Sequence, residues 1–134
     1  MNFFKREKQV LEIGRIELLW SNWYPWHSLK IDARTSRGIS IPNKEPGVYE
    51  VRFLQNEKRL VIGKTGDLRF RIKQGLIGGK APHSSGERLR DKEDVSKLFI
   101  RWAETNRPAA AEEELHFQHK QQFSGKLPTY VKRT

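Results

Sequence analysis

The sequence predicts an α+β fold. A small, largely antiparallel three-stranded sheet is flanked by helices in the order β-β-α-β-α, behind an aromatic-rich N-terminal extension. Three observations carry this expectation. Two β-rich runs, "GVYEVRFL" from Gly47 and "RLVIGKT" from Arg59, are separated by the polar turn "QNEK" and read as an antiparallel hairpin. Leu68, Ile72 and Leu76 then recur at the i, i+4, i+8 spacing of one helix face. Finally, "KLFIRWAET" alternates Leu98, Ile100 and Trp102 against Phe99, Arg101 and Ala103, the period of a strand.

The elements follow in chain order. Residues 1–45 form the extension and 46–134 the main domain. Trp20, Trp23, Tyr24 and Trp26 crowd around Pro25 without a spacing that puts them on one face. Their rings are therefore expected to pack onto the domain rather than to offer a stacking surface for bases. After the hairpin, Thr65 or Asp67 caps the first helix and Gly78-Gly79 ends it. The segment "GGKAPHSSGERLRDKEDVS" reads as a long loop with a short helix around Glu87 to Arg90. Pro108 opens the last helix, where its missing N–H costs nothing, and the helix runs to Phe123 before Gly125 stops it. The basic tail "KLPTYVKRT" is expected to be extended.

Charge narrows the partners. The chain of 134 residues carries 26 Lys plus Arg against 16 Asp plus Glu, a formal net charge of +10. An excess of that size in a small domain attracts a polyanion, because each phosphate neutralised releases condensed counterions. Nucleic acid is the expected partner. An anionic membrane surface is disfavoured, since no strongly basic amphipathic helix with an aromatic face is visible. There is no cysteine, which excludes a disulfide framework and a thiolate metal site. No apolar run approaches membrane-spanning length, and a cytoplasmic location is expected.

"LVIGKTGDLRFRI" (60–72) places Gly-Lys-Thr at a strand-to-helix transition, as a nucleotide-triphosphate loop does. That loop needs Gly-x-x-x-x-Gly-Lys-Ser/Thr so that backbone N–H groups wrap the phosphates. Lys58 stands where the first glycine belongs; in the second near match, at Lys80, Gln74 and Ala81 occupy the required positions. No nucleotide triphosphate is expected.

Gly47-Val48-Tyr49 on the first strand, Val61-Ile62-Gly63 on the second, and Arg71 eight residues after that glycine resemble the GIY-YIG nuclease family over roughly residues 45–131. The continuation Gly-Lys-Thr-x-Asp-Leu-x-x-Arg strengthens the resemblance. It implies a metal-dependent endonuclease acting on DNA. On that resemblance Tyr49 lies beside the nucleophilic water, Arg71 contacts the scissile phosphate, and a glutamate of the later helix binds one Mg2+ (or another divalent cation such as Mn2+). Lys64 matches a lysine that one branch of the family carries directly after YIG; a cation there lowers the pKa of Tyr49 or holds a phosphate oxygen. Three family features are missing. Val61 replaces the second tyrosine, Gly75 stands where many members carry a histidine or tyrosine, leaving that role empty or open to another group such as His83 of the loop, and the late asparagine has no counterpart. These departures keep a second reading open, a non-catalytic nucleic-acid-binding module on the same fold, and a partner protein is a possible source of target specificity.

The residues say some of this unaided. On a helical wheel, Arg69 lies nearer the Leu68–Ile72–Leu76 stripe than Arg71 does, so Arg71 is chosen by the resemblance. Of Glu112, Glu113 and Glu114, only Glu112 falls in line with Leu115, His116, His119 and Phe123 on the inward side. An inward carboxylate is costly unless hydrogen-bonded or holding a cation, and a hard oxygen suits magnesium. An anionic first turn would explain three glutamates in a row, but not an inward one. Glu112, His116 and His119 at i, i+4, i+7 also carry zinc-ligand chemistry, without the order of a known zinc motif. Lys80, Arg88 and Arg90, with Arg69 on the first helix, are candidate contacts to a nucleic-acid backbone.

Overall fold

The computed structural model describes residues 15–30, 39–78 and 84–131. β2 (Gly47–Phe53) is the hub of the sheet because both of its edges are paired. On one side it runs antiparallel to β3 (Val61–Thr65), with Tyr49 opposite Gly63. On the other it runs antiparallel to β4 (Leu98–Glu104), with Tyr49 opposite Trp102 and Glu50 opposite Arg101. The expected hairpin and third strand are both present.

The sheet has four strands rather than three. A two-residue strand, β1 (Tyr24–Pro25), pairs antiparallel with β4 and gives the order β1-β4-β2-β3. Side chains bring it there: the Tyr24 ring stacks on Trp102 at 5.3 Å, and Ser21 exchanges two bonds with the Trp102 backbone, at 2.8 and 3.0 Å. Proline is tolerated because this is the sheet's edge. Trp26, from the same segment, is buried in the main core. Packing onto the domain is thus the fate of these rings, and part of the extension belongs to the sheet.

Asp67 caps α1 (Leu68–Phe70) by accepting the Phe70 N–H at 3.1 Å, and the helix continues as a π-helix, Arg71–Ile77. Leu68, Ile72 and Leu76 are all fully buried, as their spacing predicts. α2 (Ser84–Lys92) is a nine-residue helix where only a short one around Glu87 was expected. Its signal is hidden in two glycines. A methyl group on Gly86 would sit 2.4 Å from the Gly75 carbonyl oxygen, so the helix forms by an approach that only glycine permits.

α3 (Pro108–Gln122) begins at the proline, which puts the glutamates beyond its first turn; an anionic first turn is therefore not their explanation. Tyr49, Val51, Ile100 and Trp102 face the main core with Leu68, Ile72 and Leu89 of the first two helices. The opposite face carries Val48 and Ala103, covered by Ala111 and Leu115 of α3 and by Ile16, Leu18 and Trp20. The result is an α+β sandwich with helices on both sides of an antiparallel sheet. Among the described residues, no helix is long and apolar enough to cross a membrane.

Candidate active site

Because β3 is an edge strand, its outer side is open to both helical layers. A cleft of about 360 Å³ lies there, lined by the consecutive residues Val61, Ile62, Gly63 and Lys64. Successive strand residues point to opposite faces, so four in a row can line one cleft only along the strand's edge. Tyr49, Arg71 and Glu112 complete the lining, with Ser84, Ser85 and Arg88 of α2 and Tyr130 and Val131 of the tail. The residues selected from the sequence as Tyr49, Arg71, Glu112 and Lys64 thus meet in one place.

Gly63 is what lets Tyr49 reach the cleft. A Cβ on Gly63 would lie 2.4 Å from the Tyr49 hydroxyl oxygen and 2.5 Å from its Cζ, so the ring lies across the glycine opposite it in register. Gly47, the first residue of the same motif, is similarly constrained: its Cβ would meet the Ala103 carbonyl oxygen at 2.3 Å. The two motif glycines are therefore packing requirements, one beneath the tyrosine and one between β2 and β4.

Tyr49 is almost wholly buried, and that burial raises its phenol pKa. The Arg71 guanidinium, charged and hydrogen-bonded to the phenol, pulls the pKa down, while Glu112 pushes it up. Burial dominates, so the phenol stays protonated at neutral pH. The cation acting on Tyr49 is Arg71. Lys64 lies opposite Val48 in register, faces the α3 side and is exposed, so it is not the group tuning the phenol.

Arg71, rather than Arg69, reaches the cleft because of the π-helix. Its ring closes from the Gly78 N–H to the Lys73 carbonyl at 2.7 Å, an i→i+5 bond. A wider turn advances each residue by less than the α-helical angle, which swings the later part of the apolar stripe toward Arg71. Arg69 is left exposed and does not line the cleft.

Glu112 is the inward glutamate, 7% exposed, while Glu113 and Glu114 face solvent. Its two histidine neighbours are held by the backbone. His116 Nε2 donates to the Ile62 carbonyl at 3.0 Å, tying α3 to β3. His119 donates from Nδ1 to the Lys126 carbonyl at 2.7 Å and accepts the Arg59 N–H on Nε2 at 3.2 Å. Both ring nitrogens of His119 are thus committed to the backbone, which takes it out of a Glu112–His116–His119 zinc set. Among the described residues no group of three or more His, Asp or Glu side chains is placed to hold a metal. A single carboxylate beside an open cleft is instead the donor set of a hard cation that keeps most of its water and shares a substrate phosphate, which fits Mg2+.

The remaining candidates divide. Arg88 lines the cleft. Arg90 turns inward, bonding the Gly75 carbonyl at 3.1 Å and the Leu76 carbonyl, and so fastens α2 to the helix that carries Arg71. Lys80 and His83 lie outside the described residues. Tyr130 and Val131 of the tail also line the cleft and were not foreseen as site residues, since the tail offered charge but no spacing that points to a site. The Tyr130 N–H donates to the Leu60 carbonyl at 2.8 Å and its hydroxyl donates to Glu93. Burial and the Glu93 carboxylate push the Tyr130 phenol up to about 12. Compared with protein-family models, with curated proteins and with solved structures, the chain finds no match in any of the three.

Proposed function

We propose that this chain is a GIY-YIG-type endonuclease that hydrolyses DNA phosphodiester bonds with the help of a divalent cation. The observation that carries the reading is the convergence of Tyr49, Arg71 and Glu112, from β2, the π-helix and α3, on one cleft at the edge of β3. A net charge of +10 supports a polyanionic substrate.

Each residue has a role that follows from its state. The Tyr49 phenol stays neutral, accepts a hydrogen bond from Arg71 and lines the cleft, where a neutral hydroxyl orients a water for in-line attack. The planar fork of Arg71 matches phosphate oxygens and offsets the charge that develops on them. Lys64, at the mouth of the cleft, adds a second cation near the phosphate. Glu112 is the residue that would hold Mg2+, which when bound polarises a non-bridging oxygen and stabilises the leaving group.

One observation favours a second reading. Val61, in the place of the family's second tyrosine, is buried and has no hydroxyl to offer, while the Tyr130 hydroxyl nearby is turned to Glu93. A non-catalytic nucleic-acid-binding module is therefore the alternative. Nicking of supercoiled plasmid in Mg2+ decides between them: activity that disappears in both Arg71→Ala and Glu112→Ala supports the enzyme. Salt-sensitive binding without nicking by the wild type supports the module.

A further inference from the structure

The cleft holds more positive charge than one phosphodiester needs. Among the described residues, Lys64, Arg71 and Arg88 line it against the single carboxylate of Glu112. Three cations against one carboxylate leave two positive charges, and one scissile phosphate takes only one of them. A cation on Glu112 would widen the surplus.

Arg88 is the group left over. Its guanidinium makes one contact from Nη1 to the Tyr130 carbonyl at 3.4 Å, at the long limit for a hydrogen bond, and forms no ion pair among the described residues. Most of its five-donor fork is therefore available to a ligand. Arg90, two residues along the same helix, bonds two carbonyls and is spent on structure. Ser84 and Ser85 line the same wall as Arg88; the Ser85 hydroxyl shares the Tyr130 carbonyl with Arg88 through an equally long contact of 3.5 Å, which a phosphate oxygen can displace. Arg71 stands on a different helix, so the two guanidinium groups approach the cleft from separate elements.

We infer that Arg88, with Ser84 and Ser85, forms a second phosphate subsite adjoining the position of the scissile phosphate, so that the cleft takes two successive phosphates of a nucleotide strand. The inference rests on reading the cleft as a phosphodiester site. It makes Arg88 a substrate-positioning residue rather than a catalytic one, and it makes the ligand a polynucleotide strand rather than an isolated diester.

Calorimetric titration in Mg2+ with thymidine 5′-monophosphate and thymidine 3′,5′-bisphosphate tests it. Wild type is expected to bind the bisphosphate about tenfold tighter, the worth of one charge-assisted contact. Arg88→Ala should erase that preference while retaining monophosphate affinity, and Arg88→Lys should recover part of it through charge alone. Arg71→Ala should weaken both ligands. The inference is overturned if wild type shows no preference, or if Arg88→Ala and the milder Arg88→Gln keep it. It is also overturned if both of those variants lose the two ligands equally. Plasmid nicking, measured in parallel, reports on the nuclease reading separately. A bisphosphate preference in a protein that does not nick leaves the subsite standing without the enzyme; nicking without the preference does the reverse.

Discussion

Two arginine-rich regions of this molecule have similar ingredients and opposite character. On the sheet face away from the main core, Glu50 is 3% exposed and accepts Arg59 Nε at 2.9 Å and Arg101 Nη2 at 2.7 Å. Arg101 lies 4.0 Å from the Trp20 ring centre, and Arg52 lies 4.1 Å from that of Trp23. Arg52 also pairs with Glu57 at 3.0 Å. This cluster is closed. Its cations are taken by internal carboxylates and by the tryptophans of the extension, which it clamps to the sheet. At the edge of β3, Arg71, Arg88 and Lys64 line an open cleft around Glu112. The lesson is that a net charge of +10 does not say which arginines bind a partner; the number of internal acceptors within reach does.

Removing the acceptor of the closed cluster should have the largest effect. Glu50→Ala leaves partly buried guanidinium groups facing one another without their shared carboxylate and should cost about 3 kcal/mol of unfolding free energy in a denaturant titration, the low end for a broken buried pair because water still reaches the arginines. Survival of Glu50→Ala at wild-type stability would break the comparison, because the cluster would then not need its carboxylate.

Gly63→Ala comes next. A methyl group 2.4 Å from the Tyr49 hydroxyl must displace the ring, so overpacking of about 1–3 kcal/mol is expected, with a loss of nicking that persists at temperatures where the variant is folded. Trp23→Ala removes the ring that Arg52, Arg59 and Arg101 approach at 4.1, 5.0 and 4.6 Å. A loss of about 1–2 kcal/mol, without change in the affinity for nucleotide, would place its effect in the closed cluster alone.

The smallest effect is a pH dependence. Burial, the first cause, and the nearby Arg59 and Lys58 lower the His119 pKa, outweighing the raising effect of its bond to the Lys126 carbonyl. The unfolded chain therefore binds this proton more readily than the folded one does. Stability contributed by neutral His119 should be complete above about pH 6.5 and fall as the pH drops below it, toward the lower folded pKa. His119→Gln should flatten that part of a stability-against-pH curve.

How much of this the sequence disclosed depended on whether the cause was local. The hairpin and the proline-led helix were legible because period and turn chemistry lie within a few residues. β1 was not, because a two-residue strand containing Pro25 has no period, and its pairing depends on the distant Trp102. α2 looked like a loop because its packing depends on Gly75 and Gly86 meeting across two helices. Within the site, Glu112 could be picked from a wheel. Arg71 could not, since a wheel drawn at about 100° per residue fails where the helix widens. Arg88 and Arg90 were indistinguishable in sequence, and only their surroundings separate them.

The most direct test of the central claim pairs two numbers for one variant, the plasmid-nicking rate and the unfolding free energy of Arg71→Ala. The roles assigned to the two regions predict a rate lower by about 10²–10³-fold, as for loss of a preorganised charge donor, with most of the stability retained. Nicking by Arg71→Ala at the wild-type rate, or a wild type that leaves plasmid intact in Mg2+ across salt and pH, would contradict it.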